Sequence, residues 1–221
     1  MTDAATTPFL ELPNSTIILA SKSITRQNVL RAAGINFVVV PTVIDEVGVR
    51  AGARADDMAP DDIAVFLALL KAQAASKITA HTMSPTKSLY IIGCDQILLF
   101  DGQIMAKPES MSAAKHQLLA LAGKQHELLS AIVVVNEGQR IWHYVARASL
   151  TMHQFDEAFA HAYIRHIGQA ALRSPGAYQI ESVGSSLFAR IDGDHFDILG
   201  LPLLPLLAIL REHGIRPVES I

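Results

Sequence analysis

One carboxylate, Asp95, stands inside an apolar segment that runs from Leu89 to Phe100. Burying an ionised carboxylate among isoleucine and leucine side chains is unfavourable unless it is paired with a cation or hydrogen-bonded. Asp95 is therefore a candidate metal ligand or general base. The alternative is a structural carboxylate held by backbone amides.

Cationic and hydroxyl side chains that could accompany Asp95 occur at three places. Ser21, Ser23 and Arg26 stand where a strand gives way to a helix, and a helix N-terminus offers unpaired amide donors to an anion. Lys71 lies among leucine and alanine residues of a helical segment, and Lys107 lies in a turn. If they converge on Asp95, the site suits polyphosphate cleavage. Otherwise the serines are helix caps and the lysines are solvated surface groups.

Other reactive residue types give weaker signals. Cys94 is interpreted as a small buried hydrophobic residue in preference to a nucleophile. His126 is interpreted as a loop-anchoring group. The histidine spacings show no convincing metal-ligand pair, and the sequence contains no glycine-rich Walker or dinucleotide fingerprint.

Composition bounds the class of protein. The 221 residues are 50% hydrophobic and can bury one sizeable core. One cysteine and a net charge of -3 argue for a reducing, cytoplasmic setting and against general nucleic-acid binding. The N-terminus does not have the pattern of a secretory signal, and Asp197, Pro202 and Pro205 interrupt the most apolar stretch, so no membrane association is expected.

Strand-like and helical segments alternate along the chain, which predicts an α/β fold. Residues 1–15 are predicted to be a short, loosely ordered lead-in and residues 16–221 a single α/β domain. Strands are predicted at 16–19, 37–40, 89–92 with an apolar extension to Phe100, 128–135 and 140–148. Helices are predicted up to Gly34, over 61–80, up to about Ala122, over 156–167, and from near Pro202 to before Gly214.

A set of short motifs, in a fixed order, resembles the Maf family of nucleotide pyrophosphatases and spans nearly the whole chain. The motifs are Ser21-Lys-Ser23, Arg26, Asp45 with Glu46, Lys71-Ala72, Gly93-Cys-Asp95, Lys107-Pro108, Gly123 with His126, Gly176-Ala-Tyr178, Gly193-Asp194, and Gly200-Leu-Pro202. The resemblance implies an elongated mixed sheet flanked by helices, two lobes around a cleft, a homodimer and a divalent cation, Mg²⁺ or Mn²⁺. The implied reaction, a housecleaning one, hydrolyses a nucleoside triphosphate to a monophosphate and pyrophosphate.

The resemblance also implies a role for each site residue. Asp95 would be the catalytic base or a metal-site carboxylate, and Glu46 a second acidic group facing the metal. The residues expected to hold the triphosphate are Ser21, Ser23, Arg26, Lys71 and Lys107. A non-catalytic nucleotide-binding regulator of septum formation and cell division is the alternative function.

Three positions bear on which nucleotide base the protein prefers. Gln96 and Glu181 are similar to the 7-methyl-GTP branch of the family rather than to the dTTP/UTP branch. A carboxylate at position 181 could accept hydrogen bonds from the N1 and amino donors of guanine. Thr25, however, stands where that branch usually has a bulky aromatic residue, and a threonine cannot stack on a base. The sequence therefore leaves the preferred base open.

Overall fold

The computed structural model describes residues 8–82 and 87–218, so part of the predicted lead-in, residues 1–7, lies outside the described residues. The chain forms two compact units. The first takes in the chain up to Asp95, Ser130–Val145 and the chain from Gly200 onward. The second takes in Gln96–Leu129 and Ala146–Leu199. Three long strands contribute residues to both units: β4 (Ser88–Phe100), β6 (Gln125–Asn136) and β7 (Gln139–Met152).

The first unit is a mixed sheet built around apolar strands. β2 (Ser15–Leu19) pairs in parallel with β3 (Val38–Val39) and with β4, and the strand order is β3-β2-β4-β6-β7. β6 and β7 are joined by a two-residue turn, Glu137 and Gly138, both with positive φ, which is the geometry of a tight hairpin. A separate two-stranded sheet pairs β1 (Leu10–Glu11) with β9 (Arg216–Pro217).

The described residues of this unit form four α-helices: α1 (Ile24–Ala32), α2 (Glu46–Ala55), α3 (Pro60–Thr82) and α7 (Leu203–Glu212). By length and composition alone, α3 is apolar enough to cross a bilayer. Its eight buried residues, with Ile63, Leu67 and Ala68 almost completely enclosed, instead fit the central helix of a folded core.

The second unit packs short helices against the remaining parts of the long strands. β5 (Gln103–Met105) lies beside β4, and β8 (Phe188–Asp192) pairs antiparallel with β7. α4 (Met111–Leu121) and α5 (Glu157–Ile167) contact each other, and α6 (His195–Ile198) is a single turn. Three 3₁₀ turns, at Gly168–Leu172, Pro175–Ala177 and Val183–Leu187, connect α5 to β8.

The mixed α/β fold predicted from the sequence is confirmed, including the strand pair around Asn136 to Gly138 and the helices on either side of it. The sequence pattern did not predict α2, β5 or β8. Leu10 and Glu11, assigned to the lead-in, form a strand instead. Their partners on β9, Pro217 and Arg216, are 207 (217 minus 10) and 205 (216 minus 11) residues away along the chain, so no local sequence pattern predicts this pairing.

Candidate active site

Asp95 lies on β4 with only 3% of its surface exposed, as its apolar neighbours in the sequence predicted. Its Oδ1 atom accepts a hydrogen bond from Lys71 Nζ at 2.5 Å. A charge-assisted hydrogen bond of this kind offsets the cost of removing the carboxylate from water. Asp95 is thus an ion-paired carboxylate and not one held by backbone amides.

A glycine brings Lys71 and Asp95 together. Gly93 precedes Asp95 by two residues, and a Cβ atom at Gly93 would lie 2.1 Å from the Ala68 carbonyl oxygen of α3 and 3.0 Å from the Ala72 Cβ atom. The backbones of β4 and α3 therefore approach more closely than any side chain would permit. Lys71 is on the same stretch of α3, and this close packing carries its ammonium group to Asp95.

Glu46 completes a charged triplet. Lys71 Nζ lies 2.7 Å from Glu46 Oε1, so one ammonium group bridges the two carboxylates. Glu46 is the first residue of α2, and the Asp45 side chain caps that helix by accepting a hydrogen bond from Gly48 N at 2.9 Å. The cap fixes where α2 begins, and thereby places Glu46 over Lys71.

A fourth charged group, Arg50, joins this cluster and was not predicted from the sequence. Its Nη2 atom lies 3.4 Å from Glu46 Oε2 and 3.7 Å from Asp95 Oδ2, and its side chain is 12% exposed. Arg50 follows Glu46 by four residues, the spacing that brings two side chains together on a helix. The signal was available in the sequence, but only if α2 itself had been recognised.

The predicted phosphate cradle at the start of α1 has mixed roles. Ser23 is the N-cap of α1 and accepts a hydrogen bond from Arg26 N at 3.3 Å, and buried Ser21 accepts one from Ser23 N at 3.2 Å. Arg26 donates from Nε to the Gly200 carbonyl at 2.8 Å and from Nη1 to the Cys94 carbonyl at 3.0 Å. The capping interpretation of Ser23 is therefore confirmed, and Arg26 reaches the residue next to Asp95.

Cys94 lies beside Asp95 with its thiol fully buried. Burial raises the pKa of this thiol to about 11, although Arg26 and Lys71 act in the opposite direction. The thiol stays protonated at neutral pH, and a protonated thiol is a poor nucleophile. The interpretation of Cys94 as a small buried hydrophobic residue is consistent with this result.

The specificity candidates are divided between the two units. Thr25 is half-buried in the first turn of α1 in the first unit. Gln96 opens the second unit, and its side-chain amide donates to the Ile198 carbonyl at 3.0 Å and more weakly to the Asp197 carbonyl. Glu181 is an exposed residue of the second unit, and so is Lys107, which is predicted to bind phosphate.

The segment that carries Glu181 is fixed to the core of the second unit. His126 is 2% exposed, and its Nε2 atom forms a 2.8 Å hydrogen bond with the Tyr178 hydroxyl. The two rings pack against Phe188, with centroids 5.0 to 6.0 Å apart. The interpretation of His126 as a loop-anchoring group agrees with these contacts, which hold the chain just before Glu181.

The residues present fit a divalent cation. Asp95 Oδ2 is buried and has no hydrogen-bond partner among the described residues, and Glu46 presents a second carboxylate that shares the Lys71 ammonium group with Asp95. In the described ranges, no three histidine, cysteine or acidic side chains lie close enough together to form a complete metal cage. Mg²⁺ and Mn²⁺ accept one or two protein carboxylates when substrate phosphate and water supply the other ligands. Asp95 and Glu46 are the residues that would hold such an ion.

Comparison with known proteins identifies the family of the chain. The model of the family described as Maf-like protein matches residues 16–213. The chain is 44% identical over 195 residues to a 7-methyl-GTP pyrophosphatase of Brucella abortus, covering 88% of this chain and 94% of that protein. It is 41% identical over 199 residues to a nucleoside triphosphate pyrophosphatase of Rhodospirillum rubrum, covering 90% and 95% of the two chains. A nucleoside triphosphate pyrophosphatase of Bradyrhizobium diazoefficiens is 44% identical over 204 residues, with 92% and 96% covered. The chain belongs to the Maf family.

Proposed function

We propose that this protein hydrolyses a nucleoside triphosphate to a nucleoside monophosphate and pyrophosphate. The observation that carries the proposal is the buried carboxylate Asp95, paired with Lys71 and accompanied by Glu46 and Arg50 in one cluster. A carboxylate among cations suits the hydrolysis of an acid anhydride between phosphates, because the cations stabilise phosphate charge and the carboxylate can orient a water molecule. Relatives named for this reaction match nearly the full length of the chain.

In the proposed mechanism Asp95 acts as the general base. Its Oδ2 atom accepts a proton from water while the water oxygen bonds to the α-phosphorus and the bond from that phosphorus to the α,β-bridging oxygen breaks. Pyrophosphate leaves with the bridging oxygen, and Asp95 then releases the proton to solvent. Lys71 holds Oδ1 and so directs the other oxygen, Oδ2, to the water. A bound divalent cation would neutralise phosphate charge and orient the substrate.

Replacement of Asp95 by asparagine tests this assignment. Asp95→Asn keeps the shape of the side chain but removes the base, and we expect pyrophosphate release to fall by about 10²–10⁴-fold, the usual contribution of a general base. Asp101→Asn is the matched control, because Asp101 is an exposed turn residue at the end of the same strand. An Asp95→Asn protein that folds, by circular dichroism, and keeps full turnover would refute the mechanism.

We propose that the preferred substrate carries a guanine-type nucleotide base, with 7-methyl-GTP as the first candidate. Glu181 supports this choice because a carboxylate accepts hydrogen bonds from the N1 and amino donors of guanine, and thymine has no such pair of donors. Turnover of 7-methyl-GTP, GTP, UTP and dTTP by the unmodified protein and by Glu181→Gln tests it. The variant should lose its preference for the guanine-type substrates. Identical relative rates in the two proteins would remove Glu181 from base recognition.

The same assays separate the enzyme from the alternative, a nucleotide-binding regulator without turnover. Tight nucleotide binding with no pyrophosphate release in the presence of Mg²⁺ or Mn²⁺ would favour the regulator.

Chelation of divalent cations should abolish turnover if Asp95 and Glu46 hold a metal, and re-addition of each ion should identify it. The homodimer and the cytoplasmic location implied by family membership remain predictions, and sedimentation of the purified protein tests the first of them.

A further inference from the structure

We propose that Arg50 is a phosphate-binding residue of this site: in the free protein it lies against Glu46 and Asp95, and it donates to phosphate oxygens when a substrate binds. The inference rests on the proposed function, since it assigns a ligand contact within the same cluster. It adds a residue from α2 that neither the sequence motifs nor the mechanism above requires.

The first argument is an account of the donors around Asp95. Arg26 uses Nε and Nη1 on the carbonyls of Gly200 and Cys94, so much of its guanidinium is committed to backbone. The Lys71 ammonium group is committed to two carboxylates. Arg50, by contrast, has a buried Nε atom with no hydrogen-bond partner among the described residues. Of these three cations, Arg50 holds a buried donor for which the protein supplies no acceptor.

The second argument concerns what Arg50 contributes to the carboxylates. Its contacts, 3.4 Å to Glu46 Oε2 and 3.7 Å to Asp95 Oδ2, are longer than the 2.7 Å and 2.5 Å contacts that Lys71 makes to the same two groups. Lys71 therefore already pairs both anions closely. Arg50 is a weakly held second cation, and its release from the carboxylates gives up little.

The third argument is the chemistry of the ligand. A buried donor without an acceptor is unfavourable. An anionic oxygen that reaches Arg50 removes this cost, and its hydrogen bond to Arg50 is stronger in this buried environment than it would be in water. The planar guanidinium group can donate two parallel hydrogen bonds to one phosphate, which an ammonium group cannot do. Transfer of Arg50 to a phosphate would also end its 3.7 Å contact with Asp95 Oδ2, the oxygen that accepts the proton in the proposed mechanism.

Pyrophosphate binding provides a test that does not depend on turnover. Titration calorimetry with inorganic pyrophosphate and Mg²⁺ is run on the unmodified protein, its Arg50→Met and Arg50→Lys variants, and Arg54→Met. Arg54 is the matched control because it is an exposed arginine one turn further along α2. We expect Arg50→Met to weaken binding by about 10- to 100-fold, as for loss of charge-assisted hydrogen bonds, and Arg50→Lys by a smaller factor. Arg54→Met should stay within about twofold, as expected for an exposed charge.

Steady-state kinetics on the fastest substrate of the panel supplies the second readout. Loss of a phosphate contact raises KM in Arg50→Met, whereas a purely structural role lowers stability or kcat and leaves the affinity for pyrophosphate unchanged. Unchanged pyrophosphate affinity in both Arg50 variants would overturn the inference even if the unmodified protein is an active pyrophosphatase. If the unmodified protein neither binds pyrophosphate nor hydrolyses any nucleotide tested, the proposed function fails as well.

Discussion

The buried histidine of the second unit should make the protein less stable in mild acid. His126 is 2% exposed, its Nε2 atom is hydrogen-bonded to Tyr178, and its Nδ1 atom has no hydrogen-bond partner among the described residues. Burial lowers the pKa of His126 from 6.5 to about 4. The folded protein therefore keeps this ring neutral at a pH at which the unfolded chain already binds a proton.

The sign and size of the effect follow from proton linkage. The stability that neutral His126 contributes is fully present above pH 6.5 and is lost progressively as the pH falls through 4. A shift of this size corresponds to about 3 kcal/mol in total, of which about 2 kcal/mol is lost between pH 7 and pH 5. That loss is a substantial part of the total stability of a typical folded chain.

Urea unfolding at pH 7, 6 and 5, followed by circular dichroism, measures this loss of stability. His126→Gln cannot titrate, so the free energy of unfolding of this variant should fall by about 2 kcal/mol less over this range than that of the unmodified protein. His116→Gln, at an exposed histidine of α4, is the matched control and should follow the unmodified protein.

Burial, with a smaller effect from Asp194, raises the pKa of Asp197 to about 6. Asp197 therefore stabilises the fold at low pH and loses that contribution as the pH rises through about 6, opposite in sign to His126. Because His126→Gln and the unmodified protein both contain Asp197, its effect cancels when their stabilities are compared. Parallel curves of stability against pH for His126→Gln and the unmodified protein would refute the reasoning.

Three further substitutions test the architecture of the site. Gly93→Ala would place a Cβ atom 2.1 Å from the Ala68 carbonyl oxygen, so β4 and α3 must separate. We expect the free energy of unfolding, measured in urea, to fall by about 2 kcal/mol or more and most pyrophosphate release to be lost. The control Gly52→Ala, on α2 with nothing within 4 Å of the added Cβ atom, should cost no stability. Lys71→Met leaves two carboxylates without their bridging ammonium group and should destabilise the fold by about 3 kcal/mol and abolish turnover; normal stability would show that other groups compensate. Tyr178→Phe keeps the ring against Phe188 but removes its hydrogen bond to His126, and should cost about 1 kcal/mol and speed amide hydrogen exchange after residue 178.

The elements predicted correctly from the sequence are those with strong local patterns. The apolar strand before Gly93 and the long apolar run of α3 are predicted from the hydrophobicity and the length of their segments. α2 is amphipathic but short, and its ten residues include two glycines and only one buried side chain, Ala53, so its sequence gives a weak signal. β8 has one half-buried residue and four exposed ones, and it is a strand because β7 supplies its hydrogen-bond partners. Elements of this kind are defined by tertiary contacts that no local window contains.

The same distinction applies to the site. The position of Asp95 in an apolar strand, and that of Lys71 in an apolar helix, each indicated a buried charge that needs a partner, and the structure pairs them with each other. Glu46 was assigned through family resemblance and does contact Lys71. Arg50 had neither an apolar context nor a motif to mark it. Its place in the cluster follows from the four-residue spacing between Glu46 and Arg50 on α2, a signal that can be used only once α2 is recognised as a helix.

The buried cluster is better explained by function than by stability. Glu46, Arg50, Lys71 and Asp95 balance two negative against two positive charges, but moving charged groups out of water costs about as much as their mutual attraction returns. Apolar side chains of similar volume at these positions would pack the same space without leaving a buried carboxylate oxygen and a buried guanidinium donor that lack hydrogen-bond partners among the described residues. A fold selected for stability alone has no reason to retain such atoms. A site that must receive a polyanion and one proton does, because its own ion pairs can be exchanged for contacts with the substrate at little net cost.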